Sequence, residues 1–260
     1  MKATAKMIIS AAGLAIAATA IQSCNQDGDN QYYYYYPNAI VTVKPIDNPT
    51  DSLTFYMQLD DTTTLVADNL RKSPFGEKEV RALTSIEETG AEVPGYDKVV
   101  HVYAIDSILT KNTEPYTDDK TVDSTYGTDP CEMVGDWMTV LEDGYLTLRV
   151  RVAAGNYGSV HRLTLLTGVN PDDPYEVEFR HKIEGNLDAA YGPQPVLADA
   201  LVAFRLDSLP DTGGETVKLT LRWKSFNGGE STAQFDYCTR ASSPAKMKIE
   251  SGATFLTNVI

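Results

Sequence analysis

The chain has 260 residues, of which 42% are hydrophobic and 9% aromatic, and its formal net charge is −14 at pH 7. This content of apolar side chains indicates a globular protein rather than a disordered one, and the length is enough for one or two domains. The negative charge argues against nucleic-acid binding, which needs a basic surface, and against electrostatic docking on anionic lipid.

Residues 1–23 combine a basic start with an apolar stretch. Lys2 and Lys6 precede a run of apolar and small residues that is shorter than the roughly 20 needed to span a bilayer, which is typical of a secretory signal. The segment ends Ile21-Gln22-Ser23-Cys24, which resembles the lipobox of bacterial lipoproteins. The sequence therefore predicts cleavage before Cys24 and lipid attachment to its thiol. The alternative is an ordinary secretory signal followed by a chance cysteine.

Residues 24–36 are predicted to be the lipidated cysteine and a flexible tether. The segment 25–31 is polar throughout and has nothing to pack. Its acidic residues resemble a surface-export signal, and a soluble spacer is the alternative. Three placements are open for tyrosines 32–36. They could lie at a membrane interface, stack on sugar rings, or lead into the first strand. Cleavage leaves 20 basic and 36 acidic residues, a net charge of −16.

Alternating apolar and polar residues predict β-strands throughout residues 37–111. From Leu53 to Leu59, apolar side chains alternate with Thr54, Tyr56 and Gln58, which predicts a half-buried strand. The predicted strands are 39–43, 53–59, 64–67, 78–86 and 98–105. A closed or partly open small barrel is the economical way to protect the edges of such a set.

A second set of strands is predicted after a linker. The linker, residues 112–130, is rich in Thr, Asp and Lys and includes two prolines. In residues 131–240 the predicted strands are 137–142, 145–152, 160–167, 175–181, 199–206, 216–224 and 232–238, separated by turns rich in Gly, Pro and Asp. This spacing favours a β-sandwich. The remaining residues, 241–260, form a C-terminal tail in which 253–260 are a candidate strand.

Two cysteines remain after lipidation of the first. Cys131 and Cys238 are a candidate disulfide, because an exported protein reaches an oxidising compartment. The alternative is two buried free thiols. Neither cysteine has a CxxC partner or a neighbouring histidine, so zinc binding is not predicted.

The sequence contains no recognisable catalytic motif. It lacks the nucleophile motif GxSxG, and its adjacent carboxylate pairs, such as Asp60-Asp61, stand in predicted turns. His101, His161 and His181 lack the spacing of metal ligands, which favours structural or surface positions. Trp137 and Trp223 lie in or near apolar strands, which favours the sandwich core. No catalytic residue, metal site or cofactor is predicted.

Several strand segments together resemble one protein family. They are Phe55-Tyr56-Met57-Gln58-Leu59-Asp60-Asp61, Val100-His101-Val102-Tyr103-Ala104-Ile105-Asp106-Ser107-Ile108-Leu109-Thr110-Lys111, Asp143-Gly144-Tyr145-Leu146-Thr147-Leu148 and His161-Arg162-Leu163-Thr164-Leu165-Leu166. With the candidate lipidated cysteine, they look like NigD-like lipoproteins over residues 24–240. The resemblance implies an all-β protein with a small OB-type β-barrel followed by an immunoglobulin-like β-sandwich. It implies no catalytic residues, and an immunity role against a bacteriocin is implied by the family name alone.

These features predict a non-enzymatic lipoprotein of the cell envelope, anchored in the outer membrane of a Gram-negative bacterium through Cys24. The anchor leaves both a periplasmic and a surface-exposed orientation open. The expected partner, besides the membrane, is a protein or a glycan. The alternative function is carbohydrate binding within a surface polysaccharide-uptake system, which exposed aromatic side chains on the sandwich would favour. A hydrolase is a third hypothesis, which a deep pocket with convergent carboxylates would favour.

Overall fold

Five strands of alternating polarity form a closed barrel in a computed structural model. The structure describes residues 36–50 (with the backbone alone for 48–50), 53–117, 120–154, 159–185 and 196–239. The barrel strands are β1 (Ala39–Thr50), β2 (Leu53–Gln58), β3 (Thr64–Ala67), β4 (Val80–Glu88) and β5 (Lys98–Ser107). They close in the order β1-β2-β3-β5-β4. The predicted barrel is confirmed.

The barrel interior takes the apolar half of each alternating strand. Val41 and Val43 of β1 pack with Phe55 and Met57 of β2 and with Leu65 of β3. All five side chains are buried. Because side chains on a strand point alternately to its two faces, a period-two sequence can fill such an interior, and closure leaves no barrel edge to protect.

Two sheets packed face to face form the second part of the chain. The first sheet has the order β6-β13-β10-β8, with β9 also paired to β10, and the second has the order β15-β14-β12-β11-β7. The strands are β6 (Leu109–Asn112), β7 (Glu114–Pro115), β8 (Glu132–Met133), β9 (Val140–Glu142), β10 (Tyr145–Ala153), β11 (Val160–Thr167), β12 (Glu176–Glu184), β13 (Leu197–Arg205), β14 (Val217–Lys224) and β15 (Glu230–Tyr237). The sandwich predicted from the sequence is confirmed.

The boundary between the two parts differs from the predicted one. Strand β6 pairs in parallel with β13, so residues 109–112 belong to the sandwich rather than to the end of the barrel. The predicted linker contains β7, which pairs with β11, and helix α1 (Val122–Tyr126). These short elements have partners far along the chain, and a local pattern of Thr, Asp and Lys does not show such pairing.

Barrel and sandwich share an apolar contact. Ile40 and Ile108 pack with Tyr145 of β10 and Ala203 of β13, and Leu83 of β4 lies against this cluster. The outer face of the first sandwich sheet is therefore covered by the barrel over part of its area. This contact brings polar side chains of the barrel close to polar side chains of the sandwich.

Several predictions concern residues that the structure does not describe. They are the signal peptide, the lipidated Cys24, the tether with tyrosines 32–35 and the C-terminal tail 241–260. Within the described ranges, no helix is long and apolar enough to cross a membrane.

Candidate functional site at the corner of barrel and sandwich

A buried arginine joins the two parts. The side chain of Arg81, on β4, is 0% exposed. Its guanidinium donates to Thr42 Oγ1 (3.0 Å) within the barrel, and to Thr147 Oγ1 (3.3 Å) and Glu142 Oε2 (3.2 Å) of the sandwich. Burial lowers the pKa of Arg81, while the charges of Glu142 and Asp143 oppose that shift. Because arginine stays protonated in proteins, the guanidinium is a fixed buried cation.

A second ion pair crosses the same contact. Lys44 Nζ of β1 lies 2.7 Å from Asp143 Oδ1, and both side chains are almost fully buried. Asp143 has a positive φ of 50°, and its backbone N–H donates to Asp61 Oδ1 of the barrel (2.6 Å). The turn between β9 and β10 is thus held by barrel residues on both sides. Removing one partner of such a buried pair is costly, because it leaves an uncompensated charge.

The same sheet face carries a partly buried polar network where the barrel ends. Arg149 of β10 contacts Asp136 Oδ2 (2.5 Å) and Asp199 Oδ2 of β13 (2.7 Å), and Arg151 Nε lies 2.7 Å from Asp199 Oδ1. The pKa of Asp199 is lowered by the hydrogen bond from Arg151 and, against the effect of burial, by that from Arg149. Two cations and two anions in contact give this surface a rigid, charge-balanced character.

An exposed tryptophan stands beside this network. Trp137 directly follows Asp136 and is 46% exposed, so its predicted core position is wrong, whereas Trp223 is 7% exposed and its core position is confirmed. The backbone N–H of Met138 donates to Asp136 Oδ1, and in this turn no strand alternation decides which side chain is buried. Met138 packs against the barrel contact instead. We refer to Trp137, Asp136, Arg149, Arg151 and Asp199 as the corner surface.

The three histidines take different positions. His101 on β5 of the barrel lies beside Asp68, with its Nδ1 2.9 Å from Asp68 Oδ1. His161 and His181 contact one another within the sandwich. Among the described residues, no three His, Cys, Asp or Glu side chains lie close enough to hold a metal ion.

A shallow groove of about 210 Å³ lies on the second sheet, lined by residues that include Glu178, Arg180 and Trp223. Arg180 is already paired with Glu178 and Asp123, and Trp223 Nε1 donates to Glu132. The groove is smaller than the roughly 300–1,000 Å³ of ordinary ligand pockets. It does not have the convergent, unpaired carboxylates that a hydrolase would need.

Two of the predicted turns, at Asp60-Asp61 and Asp172-Asp173, contain a carboxylate with a structural role. Asp60 Oδ1 accepts hydrogen bonds from the backbone N–H groups of Thr62 and Thr63. Burial raises the pKa of Asp60, but these hydrogen bonds outweigh that effect and lower it overall. Asp173 likewise accepts from the N–H of Tyr175. These carboxylates stabilise turns, as their sequence context predicts.

The candidate disulfide is not formed, because Cys131 and Cys238 are both free thiols. The N–H of Cys131 donates to Lys224 O at one end of β14, while Cys238 follows Tyr237, which pairs with Val217 at the other end. At about 3.3 Å per residue the two ends lie about 20 Å apart, whereas bridged Cα atoms lie about 4.4–6.8 Å apart. The alternative of two free thiols is the one that the structure contains.

Comparison with known proteins assigns both parts of the chain. Residues 40–108 match the NigD-like N-terminal OB domain, and residues 112–237 match the NigD-like C-terminal beta sandwich domain. No curated protein matches the chain.

Solved structures share the two-part fold. A protein described as toxin-related from Parabacteroides distasonis is 30% identical, with a TM-score of 0.57. The match covers 77% of this chain and 92% of that protein. A protein of unknown function from Bacteroides vulgatus is 18% identical (TM-score 0.59; 83% and 94% covered). A NigD-like immunity protein from Bacteroides caccae is 19% identical (TM-score 0.52; 79% and 99% covered).

Proposed function

The chain belongs to the NigD-like family, and from this we propose that it is a non-enzymatic lipoprotein of the cell envelope whose barrel and sandwich together bind a protein partner. The anchor in this proposal is the lipid on Cys24, in the outer membrane. An immunity role is the kind of protein binding that the name of the Bacteroides caccae relative suggests.

Several ionisable side chains have structural rather than catalytic roles. In the described part of the chain, Asp60 stabilises a turn, and Asp143 and Glu142 pair with cations across the barrel contact. A catalytic acid or base instead needs access to a substrate and a pKa near the working pH. Side chains already held by partners within the fold are typical of a structural role.

The observation that carries the membrane part of the proposal is the segment Ile21-Gln22-Ser23-Cys24 after a short apolar stretch. The test is metabolic palmitate labelling of cells that express the wild type or Cys24→Ala, combined with protease treatment of intact cells. Cys24→Ser is a matched variant that keeps the size of the side chain. We expect labelling of the wild type and none of either variant.

Protease treatment of the labelled wild type then decides which way the domains face. Digestion in intact cells would place the partner outside the cell, and protection would place it in the periplasm. Absence of label in the wild type would overturn the proposed anchor whatever the protease result.

Exposure of Trp137 at the corner surface favours glycan binding as a second candidate function. An indole ring offers an apolar face for a sugar ring, and Asp136, which precedes Trp137 in the chain, belongs with Arg149 and Asp199 to a network of fixed hydrogen-bonding groups. The test is electrophoretic retardation in gels that contain dextran, inulin or a plant xylan. We expect retardation by at least one polysaccharide, lost in Trp137→Ala and kept in Tyr103→Ala, which removes an exposed barrel aromatic. Equal migration with and without each polysaccharide would reject this candidate.

A further inference from the structure

Two histidines meet at one end of the sandwich. In the pairing of β11 with β12, His161 lies opposite Ile183 and Leu163 lies opposite His181, so the two histidines are diagonal neighbours on one face. Their rings are nearly parallel, at 10°, with centroids 5.2 Å apart. Nδ1 of His161 lies 2.9 Å from Nε2 of His181. The side chain of His181 is buried, at 1% exposure.

The outer nitrogen of each ring faces a backbone carbonyl. His161 Nε2 lies 3.1 Å from Ala154 O, and His181 Nδ1 lies 3.3 Å from Pro130 O. A carbonyl oxygen only accepts hydrogen bonds, so each outer nitrogen must carry a hydrogen. The contact between the rings needs one more hydrogen. Three hydrogens on two rings are one more than two neutral imidazoles hold, so the fully hydrogen-bonded pair has a charge of +1.

We propose that His161 and His181 form a proton-sharing clasp, a singly charged pair that holds the end of β10 and the segment before β8 against β11 and β12. His161 is the protonated ring and donates from both nitrogens. His181 stays neutral, donates to Pro130 and accepts from His161. Loss of the shared proton removes one of these hydrogen bonds. Uptake of a second proton by the pair places two cationic rings in contact.

The surroundings of the pair favour this single charge. The Asp129 carboxylate accepts from the N–H of Ile183 (2.7 Å), and its negative charge acts to raise the pKa of His181. At this end β10 contributes Ala153, which packs against Ile183, and Ala154 follows it in the chain; neither has a titratable side chain. From β14 and β15, the charged residues Lys224 and Glu230 line the same groove as His181. The charged side chains adjacent to the pair on β11 and β12 alternate to the opposite sheet face; they are Arg162, Arg180, Lys182 and Glu184.

The clasp should weaken in acid. Burial, and after it the charge of His161, lower the pKa of His181 below its ordinary value. A histidine with a lowered pKa stabilises the fold fully above its unfolded pKa, near 6.5, and this contribution is lost as the pH falls through the folded value. Each proton taken up only on unfolding raises the unfolding equilibrium constant by up to about tenfold per pH unit.

The direct test is nitrogen-15 NMR of the imidazole rings, using the mature chain with Cys24→Ser. At pH 7 we expect hydrogens on both nitrogens of His161 and on Nδ1 alone of His181. In His161→Gln, which keeps a donor without the charge, the titration of His181 should move to higher pH. A His161 ring that is neutral at pH 7, or a His181 titration unchanged in His161→Gln, would overturn the clasp.

Urea unfolding at several pH values tests its effect on stability. We expect the unfolding equilibrium constant of the wild type to rise between pH 6.5 and 5, and this rise to be smaller in His181→Gln. His101→Gln is the matched control, because its ring contacts Asp68 on the barrel, and it should keep the wild-type contribution from the clasp. The same pH dependence in His181→Gln and the wild type would contradict the proposal, and the NMR result decides the case if His181→Gln does not fold.

Discussion

Arg81 shows how one residue can take its role from a distant part of the chain. On an alternating strand, a charged residue next to the apolar Ala82 indicates a solvent-facing position. In the structure that outer face meets the sandwich, and the guanidinium is surrounded by Thr42, Thr147 and Glu142. Burial raises the pKa of Glu142, against the effect of Arg81. The pair therefore bears a desolvation cost that only the contact between the two parts offsets.

Replacing Arg81 should destabilise the protein strongly. In Arg81→Met the shape is roughly kept, while Glu142 loses its cation and two buried hydroxyls lose their donor, so we expect a loss of about 3 kcal/mol. The measurement is the free energy of unfolding in urea. Lys98→Met is the control, because the Lys98–Glu88 pair is exposed and should cost less than about 1 kcal/mol. Equal losses in the two variants would show that the buried pair is not a main stabilising contact.

Gly127 occupies a position that only glycine fits. It ends α1 with a φ of 79°, and an added Cβ would collide with Lys182 and with the backbone oxygen of His181. Its ψ of 169° places it in a backbone region that is almost confined to glycine, so Gly127→Ala should combine a backbone cost of about 1–3 kcal/mol with an overpacking cost of about 1–3 kcal/mol.

The matched control for Gly127→Ala is Gly213→Ala. Gly213 has a φ of 63°, but nothing lies within 4 Å of an added Cβ. Only the backbone cost applies there. We expect a lower midpoint of thermal unfolding in Gly127→Ala, from the collision together with the backbone conformation at Gly127, and indistinguishable midpoints would contradict this.

At the scale of elements, β10 shows how one strand can serve two cores. Leu146, Leu148 and Val150 face the sandwich interior, as their alternation predicts. Tyr145 and Thr147 on the other face are also fully buried, because the barrel covers that end of the strand. Farther along the strand the barrel contact ends, and the polar residues of the same face form the corner surface. Periodicity shows which residues share a face, but not what covers it.

The two cysteines near the ends of strands differ in burial, and therefore in the reactivity that we expect of them. Burial, helped by the charge of Glu132, raises the pKa of Cys131 to about 12, so its thiol remains protonated and shielded at pH 8. Cys238 is only partly buried. We expect a maleimide to modify Cys238 well before Cys131 in the folded chain with Cys24→Ser, and both equally fast in urea.

Mass spectrometry of the modified protein measures both rates. Early modification of Cys131 would contradict its burial. A mass lower by two hydrogens in the unmodified protein would show a disulfide that the structure does not contain.

At the scale of the whole molecule, barrel and sandwich should unfold together. The contact between them buries the apolar cluster around Ile40 and Tyr145 together with two ion pairs. Separating the parts would expose both charged pairs and this cluster to water, so neither part should retain its full stability alone. Cooperative unfolding is expected where such a contact is a large fraction of the stability.

A tryptophan placed in the barrel tests this coupling. Both native tryptophans belong to the sandwich, at 137 and 223, so their fluorescence does not report on the barrel. Tyr103→Trp adds a reporter at an exposed barrel position. In a Trp137→Phe, Trp223→Phe background it should give the same urea midpoint as circular dichroism, which follows all strands. Two separated midpoints would show that barrel and sandwich unfold independently.

The sequence by itself determined the all-β class, the longer strands of both parts and the family resemblance, because alternation of polarity and turn residues are local properties of the chain. It also located the candidate lipid anchor at Cys24, which depends on a short linear motif. Only the tertiary structure decided that Arg81 is buried, that Trp137 is exposed, that the two cysteines lie far apart and that His161 meets His181. These outcomes depend on which faces and strand ends come together, and contacts between residues distant along the chain determine that.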